Sequence, residues 1–249
     1  MSRLTTVFGC VVCMLLLMGC PRRGVHPEAI RYNNVANSYF EQGYWGKAAN
    51  YYNRARELSP RFAFPLYRLS VIQLRRGLNK EAEKLAVKSI RYKPKVPKFH
   101  IQLGLVYRAQ RRYPRALRSF NKAISLNKDG YDARLRLCET LRKLGKHSAA
   151  RRQGLRMLTI QPQRAEAHYE LGELYLAVEK DQQQALRSFQ RALKRKPRYF
   201  DAQYAIGKLY LQMKKYRLSW RHLRFAVKLK PKDAEAARLF GIAQKKAGL

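Results

Sequence analysis

The stretch LGELYLAVEKDQQQALRSFQRALKRKP, residues 171–197, decides the fold. It reads as two helical segments joined by a polar turn, with apolar or small residues at helical spacing. Leu171, Gly172 and Tyr175 mark the first segment, and Ala185, Phe189 and Ala192 mark the second. Pro197 ends the second, because proline lacks the amide hydrogen that would continue a helix. The same residue types return elsewhere at the same offsets. Residues 97–130 carry Leu103, Gly104, Tyr107, Ala116, Phe120 and Ala123, and residues 200–233 carry Ile206, Gly207, Tyr210, Ala226 and Pro231. Prolines 60, 94, 162, 197 and 231 are separated by 34, 68, 35 and 34 residues, and Lys128 stands on the missing rung. A bundle without internal repetition has no reason to keep such a period.

A 34-residue helix–turn–helix unit with these signature positions resembles the tetratricopeptide repeat. Residues 29–62 match it with Tyr32, Val35, Ala36, Tyr39, Gly43, Ala48, Tyr52, Ala55 and Pro60. The resemblance implies an all-α, right-handed superhelical solenoid of six repeats, 29–62, 63–96, 97–130, 131–164, 165–199 and 200–233. The fifth carries one extra residue near EKDQQQ, and residues 234–249 form a capping helix over the last apolar face. Small residues at Ala36, Ser70, Gly104, Cys138, Gly172 and Gly207 let each first helix approach its second, which offers Ala48, Ala82, Ala116, Ala150 and Ala185.

Composition bounds the function classes. The 249 residues are 46% hydrophobic, so the chain is no disordered polycation, although 53 Lys and Arg against 16 Asp and Glu leave a net charge of +37. Such a balance implies an anionic partner or surface. The N-terminus selects among these. Arg3 precedes an apolar stretch from Val7 to Met18, too short to span a bilayer comfortably but suited to a signal peptide. Leu17-Met18-Gly19-Cys20 resembles the lipobox of bacterial lipoproteins. That resemblance implies a signal peptide over 1–19, lipidation of Cys20, and a linker to residue 28. It places the chain in the bacterial cell envelope, lipid-anchored on the periplasmic side. Pro21 follows the cysteine where inner-membrane retention typically has Asp, which favours the outer membrane. Cys10 and Cys13 leave with the signal peptide, so Cys138 alone remains and no internal disulfide or cysteine cluster forms.

No phosphate-binding loop, nucleophile elbow, zinc-protease motif or dinucleotide fingerprint occurs. His100 and His168 read as packing residues, and Cys138 as buried and inert. Glu166, Glu170 and Glu173, with Asp132, Glu139 and Asp201 on neighbouring first helices, read as an acidic patch without a nucleophile or metal ligand beside it. The expectation is no enzyme, no cofactor and no metal.

Two surfaces remain. In the repeat family the first helices line a groove, and its rows here include Asn33, Tyr67, Ile101, Leu135, Tyr169 and Tyr204, with Phe40, Leu74, Arg108, Arg142, Leu176 and Leu211. Such an apolar and aromatic groove suits an extended or helical peptide of a partner protein, although the same rows are also candidates for inter-helix core. On the outward second helices Lys84, Arg118, Arg152, Arg187 and Arg221 form a ladder, paralleled by Arg54, Lys88, Lys122, Arg156 and Arg191. These read either as a solvated face or as a cationic surface near anionic lipid headgroups. A lipoprotein built almost wholly of six such repeats resembles the pilotins of type IV pili, which assist secretin assembly. That resemblance implies an interaction scaffold with an envelope protein, secretin-like, as partner. The alternatives are an adaptor whose basic surface binds anionic lipid or polymer, and a repeat protein that binds nucleic acid.

Overall fold

A computed structural model describes residues 24–249; the expected signal peptide and the lipidation residue Cys20 lie outside the described residues. Among the described residues there are thirteen α-helices, one π-helical segment and no strand. First helices α1 (Pro27–Glu41), α3 (Ala63–Arg75), α5 (Pro97–Ala109), α7 (Tyr131–Lys143), α9 (Ala165–Leu174) and α11 (Phe200–Gln212) alternate with second helices. The latter are α2 (Trp45–Leu58), α4 (Asn79–Tyr92), α6 (Tyr113–Leu126), α8 (His147–Ile160), α10 (Gln182–Arg195) and α12 (Tyr216–Leu229), and α13 (Ala234–Ala247) closes the series. This is the all-α tetratricopeptide architecture expected from the period. The chain divides into two compact units, one ending at Leu69 and one spanning Ser70–Leu249, each with its own packing.

The turns inside the pairs share one solution. A residue with positive φ follows each first helix: Gly43 in the first unit, then Gly77, Arg111, Gly145, Lys180 and Lys214 in the second. The next amide reaches back five residues to close the helix end, as in Arg112 N–H to the Tyr107 carbonyl at 2.8 Å and Lys146 N–H to the Leu141 carbonyl at 2.9 Å. Glycine adopts this conformation freely, whereas Arg111, Lys180 and Lys214 each hold it at a cost of about 1 kcal/mol. The fifth pair differs. Tyr175–Glu179 is π-helical, and the closing amide, Asp181 N–H, reaches six residues back to the Tyr175 carbonyl at 3.2 Å. The extra residue of the 35-residue repeat is thus absorbed as a wider turn at the end of α9.

Between pairs, the residue before each boundary position is extended. Proline enforces this sterically on its predecessor, yet Asn127 adopts φ −142° and ψ 97° before Lys128, so the fold keeps the shape where the sequence drops the proline. The freed carbonyl is then capped from six residues on. His100 Nε2 donates to the Pro94 carbonyl at 2.7 Å and Arg134 Nη2 to that of Lys128 at 2.7 Å. His168 Nε2 reaches that of Pro162 at 3.3 Å and Gln203 Nε2 that of Pro197 at 3.1 Å. The two histidines therefore do more than pack, and His168 is only half-buried.

The core sits between first and second helices. A Cβ on Gly104 would stand 2.5 Å from the Phe120 ring, and one on Gly172 would stand 2.5 Å from Phe189. Each fully buried phenylalanine fills the space its glycine vacates, and burial of such a side chain contributes about 2–3 kcal/mol. Where the small residue carries a donor, it bonds across the pair: Ser70 Oγ to the Ala82 carbonyl at 2.8 Å, Cys138 Sγ to the Ala150 carbonyl at 3.3 Å. Cys138 is fully buried, as its close-packing position predicts, and burial, with the Glu170 charge beside it, pushes its thiol far above its ordinary range. In the first unit the fully buried Tyr52 donates its hydroxyl to Asn37 Oδ1 at 2.7 Å. Leu239 and Ala243 of α13 bury against Leu223, with Trp220 and Phe240 stacked at 6.4 Å.

Candidate functional site

The first-helix rows divide by environment. In the unit ending at Leu69, Asn33 is buried, so it is no ligand contact. Phe40 is half-buried beneath the Arg68 guanidinium at 4.6 Å, and the same guanidinium lies 5.7 Å from the half-buried Tyr67 ring.

In the unit from Ser70, Leu74 is half-buried and Ile101 packs against the central cluster that contains Leu135. Leu135 is itself buried, which corrects its assignment to an open groove: core packing claimed it. Arg108 and Arg142 are not free charges either. Arg108 Nη1 lies 2.6 Å from Glu139 Oε2, and Arg136 holds the other carboxylate oxygen at 2.8 Å. One repeat on, Arg142 Nε lies 2.8 Å from Glu170 Oε2 and its Nη1 lies 3.0 Å from Glu173. The expected acidic patch is therefore an internal ladder of ion pairs. Glu166 and Asp132 add longer contacts to Arg164, at 3.4 and 3.6 Å, and Asp201 reaches Lys230 at 3.9 Å.

The pair Arg142–Glu170 is tightly enclosed, the Glu170 side chain being 4% exposed. Burial raises the Glu170 carboxyl above its usual range even against the pull of Arg142. Burial works against the Arg142 charge too, but the hydrogen bond and charge of Glu170, with Glu173, outweigh it and raise its pKa.

The next rung is open. Where Arg108 and Arg142 stand, the π-helical segment after α9 has Leu176, and where Glu139 and Glu173 stand, α11 has Lys208. Between them lies a cleft of about 470 Å³, lined by Tyr169, Glu173, Leu176, Lys180, Tyr204 and Lys208 among others. Tyr169 packs on Phe189 and Tyr199, with ring centroids 5.6 and 5.5 Å away, and Tyr204 stacks on Phe200 at 5.9 Å. Burial, then the neighbouring Glu173 charge, pushes the Tyr169 hydroxyl well up, so it stays a neutral donor. Sequence reasoning named Tyr169, Tyr204 and Leu176 but missed Lys180 and Lys208. The extra residue near EKDQQQ was the available signal, because the widened turn places Lys180 at the cleft's edge. The cleft offers an apolar and aromatic floor with two cations and one carboxylate on its rim. That suits a peptide.

The ladder Lys84, Arg118, Arg152, Arg187 and Arg221 is exposed on α4, α6, α8, α10 and α12; Lys88, Lys122, Arg156 and Arg191 are exposed on α4, α6, α8 and α10, and Arg54 on α2. Two of these ten have acidic neighbours near the contact limit, Lys84 with Glu81 at 3.8 Å and Arg156 with Asp129 at 3.7 Å.

Family models described as tetratricopeptide repeat match residues 29–62 and, in overlapping matches, 101–165, 140–199 and 179–219. Among solved structures, a chain of the APC/C hetero-tetramer Cut9–Hcn1 aligns over 88% of this chain at 17% identity and TM-score 0.76. The present chain spans only 43% of its length. Pseudomonas aeruginosa PilF aligns at 17% identity and TM-score 0.64, covering 74% of this chain and 83% of its own. YrrB, described as a TPR protein with an unusual peptide-binding site, aligns at 26% identity and TM-score 0.54, covering 71% and 91%. At 17% identity the first two carry the fold alone. A comparison with curated proteins finds no match.

Proposed function

Because the chain belongs to the tetratricopeptide-repeat family, whose fold makes it a protein-interaction scaffold, we propose that it is a lipid-anchored scaffold of the bacterial envelope. Its role is to hold an extended peptide of a partner protein on its first-helix face, in the manner of a pilotin that assists secretin assembly. The observation that carries the peptide site is the open rung between α9 and α11. It alternates an apolar floor with Lys180 and Lys208, a pattern that takes an extended segment with apolar anchors and an acidic group. YrrB, which shares the repeat fold, is described by its peptide-binding site, in keeping with this use. The anchor rests on Leu17-Met18-Gly19-Cys20, and the fold shared with PilF is consistent with the pilotin role.

Replacing Cys20 by Ala and fractionating cells tests the anchor. The wild-type chain is expected with the outer membrane and the variant in a soluble or inner-membrane fraction; identical distribution of the two contradicts the reading. Pairing this with Tyr204→Ala and Leu176→Ala separates anchor from cleft. Those variants should stay membrane-bound while losing the co-purifying envelope protein, and unchanged co-purification sinks the cleft assignment.

A further inference from the structure

The second helices show a segregation of charge that peptide binding on the opposite helices does not use. Helices α6, α8, α10 and α12 contain three, three, four and four Lys and Arg respectively, and not one Asp or Glu. The acids of the same stretch sit on the first helices and the turns, where Glu139, Glu170 and Glu173 are tied to arginines. Solubility alone is served by mixed charges and gives no reason to exclude acids from four successive helices. The exclusion also has a cost. Arg118–Lys122, Arg152–Arg156, Arg187–Arg191 and Arg217–Arg221 are like charges four residues apart, which destabilises each helix.

The same helices expose apolar side chains among these cations. Leu155 is 49% exposed between Arg152 and Arg156 in sequence, and Phe225 is 53% exposed where the second ladder would place its next basic residue. Leu218, beside Arg217, is 36% exposed. A soluble polyanion has no use for exposed leucine and phenylalanine. A bilayer does, because apolar groups enter the headgroup–acyl boundary while cations stay with the phosphates.

We propose that the acid-free outward helices α6, α8, α10 and α12 form a docking surface for an anionic lipid bilayer. Arg118, Arg152, Arg187 and Arg221 meet lipid phosphates, and Leu155 and Phe225 insert between headgroups. The inference rests on the envelope reading only for which bilayer lies within reach. Its test omits the acyl chain, so failure of either leaves the other standing.

The test uses the mature chain from residue 20 onward carrying Cys20→Ser, free of both the acyl chain and the apolar stretch Val7–Met18. It is co-sedimented with vesicles of phosphatidylcholine alone or with about 30% phosphatidylglycerol. Stronger binding to the anionic vesicles is expected, falling at least tenfold between roughly 50 and 200 mM salt. Reversing Arg118, Arg152, Arg187 and Arg221 to Glu should weaken it by about a hundredfold or more. A control set, Arg76, Lys95, Lys128 and Lys143 to Glu, changes net charge equally at exposed positions off this face and should weaken it less than tenfold, with helicity by circular dichroism unchanged in both. Leu155→Ser with Phe225→Ser should lower the binding that survives at high salt. Equal losses from the two reversal sets overturn the proposal, because the attraction is then diffuse. Equal binding to both vesicle types overturns it also. So does transfer of the wild-type chain from vesicles to a short random DNA duplex at matched phosphate concentration.

Discussion

Two neighbouring rungs of the second unit use the same addresses differently. Between α7 and α9, Arg142 spans to Glu170 and Glu173 and closes the face with bonds of 2.8 and 3.0 Å. Between α9 and α11, Leu176 and Lys208 occupy the corresponding positions and leave a cleft bordered by Tyr169 and Tyr204. The backbone plan is nearly the same, apart from the π turn at Tyr175–Glu179. One pair of side chains per rung therefore decides whether this face is sealed or open, and the two rungs differ in whether their charges are spent internally.

The closed rung breaks most readily at Arg142. Arg142→Ala strands the buried Glu170 carboxylate and should cost about 3–5 kcal/mol in urea denaturation of the second unit. Arg142→Ala with Glu170→Gln should recover most of that loss, since no uncompensated charge remains. A loss under about 1 kcal/mol would mean that the pair is solvated and the rung is not closed.

Tyrosine titration sharpens the contrast. Burial, then the Glu166 charge, pushes Tyr131 of α7 up to about 12. Its folded pKa lies above the unfolded value of about 10, so its contribution is fully present below pH 10 and is lost as pH rises through about 12. The loss should amount to about 2–3 kcal/mol, and Tyr131→Phe should remove that share of the alkaline loss, leaving the part due to other buried tyrosines such as Tyr169. Stability curves that coincide for wild type and variant would contradict the burial argument.

A packing change comes next. Gly172→Ala drives a Cβ to 2.5 Å from Phe189 and should cost about 1–3 kcal/mol, part of it regained by Phe189→Leu. The smallest effect has the opposite sign: Lys214→Gly relieves positive φ and should stabilise by about 0.5–1 kcal/mol, read as an increased midpoint in the same denaturation.

The fold was legible because its determinants are single positions at a fixed period. Gly104, Gly172 and the boundary prolines each announce a close approach or a helix end on their own. What stayed hidden depends on pairs. Arg108 with Glu139 and Arg142 with Glu173 lie 31 residues apart, so a row of arginines and a patch of acids, each correctly placed on first helices, looked like free groove charges until the structure joined them. Leu135 failed for a related reason, since an apolar residue on a first helix serves core or groove equally well in sequence. The carbonyl caps at His100, Arg134, His168 and Gln203 escaped notice because three different residue types do one job. Arg111, Lys180 and Lys214 at positive φ give no local sign, since tertiary packing imposes a turn that glycine marks elsewhere.

On the proposed reading, the open rung between α9 and α11 receives a partner peptide while the closed rung before it does not. A photoreactive residue placed at position 204 or at position 136, whose side chain is 37% exposed on α7, in otherwise wild-type cells, tests this directly. A discrete crosslinked envelope protein is expected from position 204 and none from position 136. Equal crosslinking from both positions, or crosslinking from 136 alone, would contradict it.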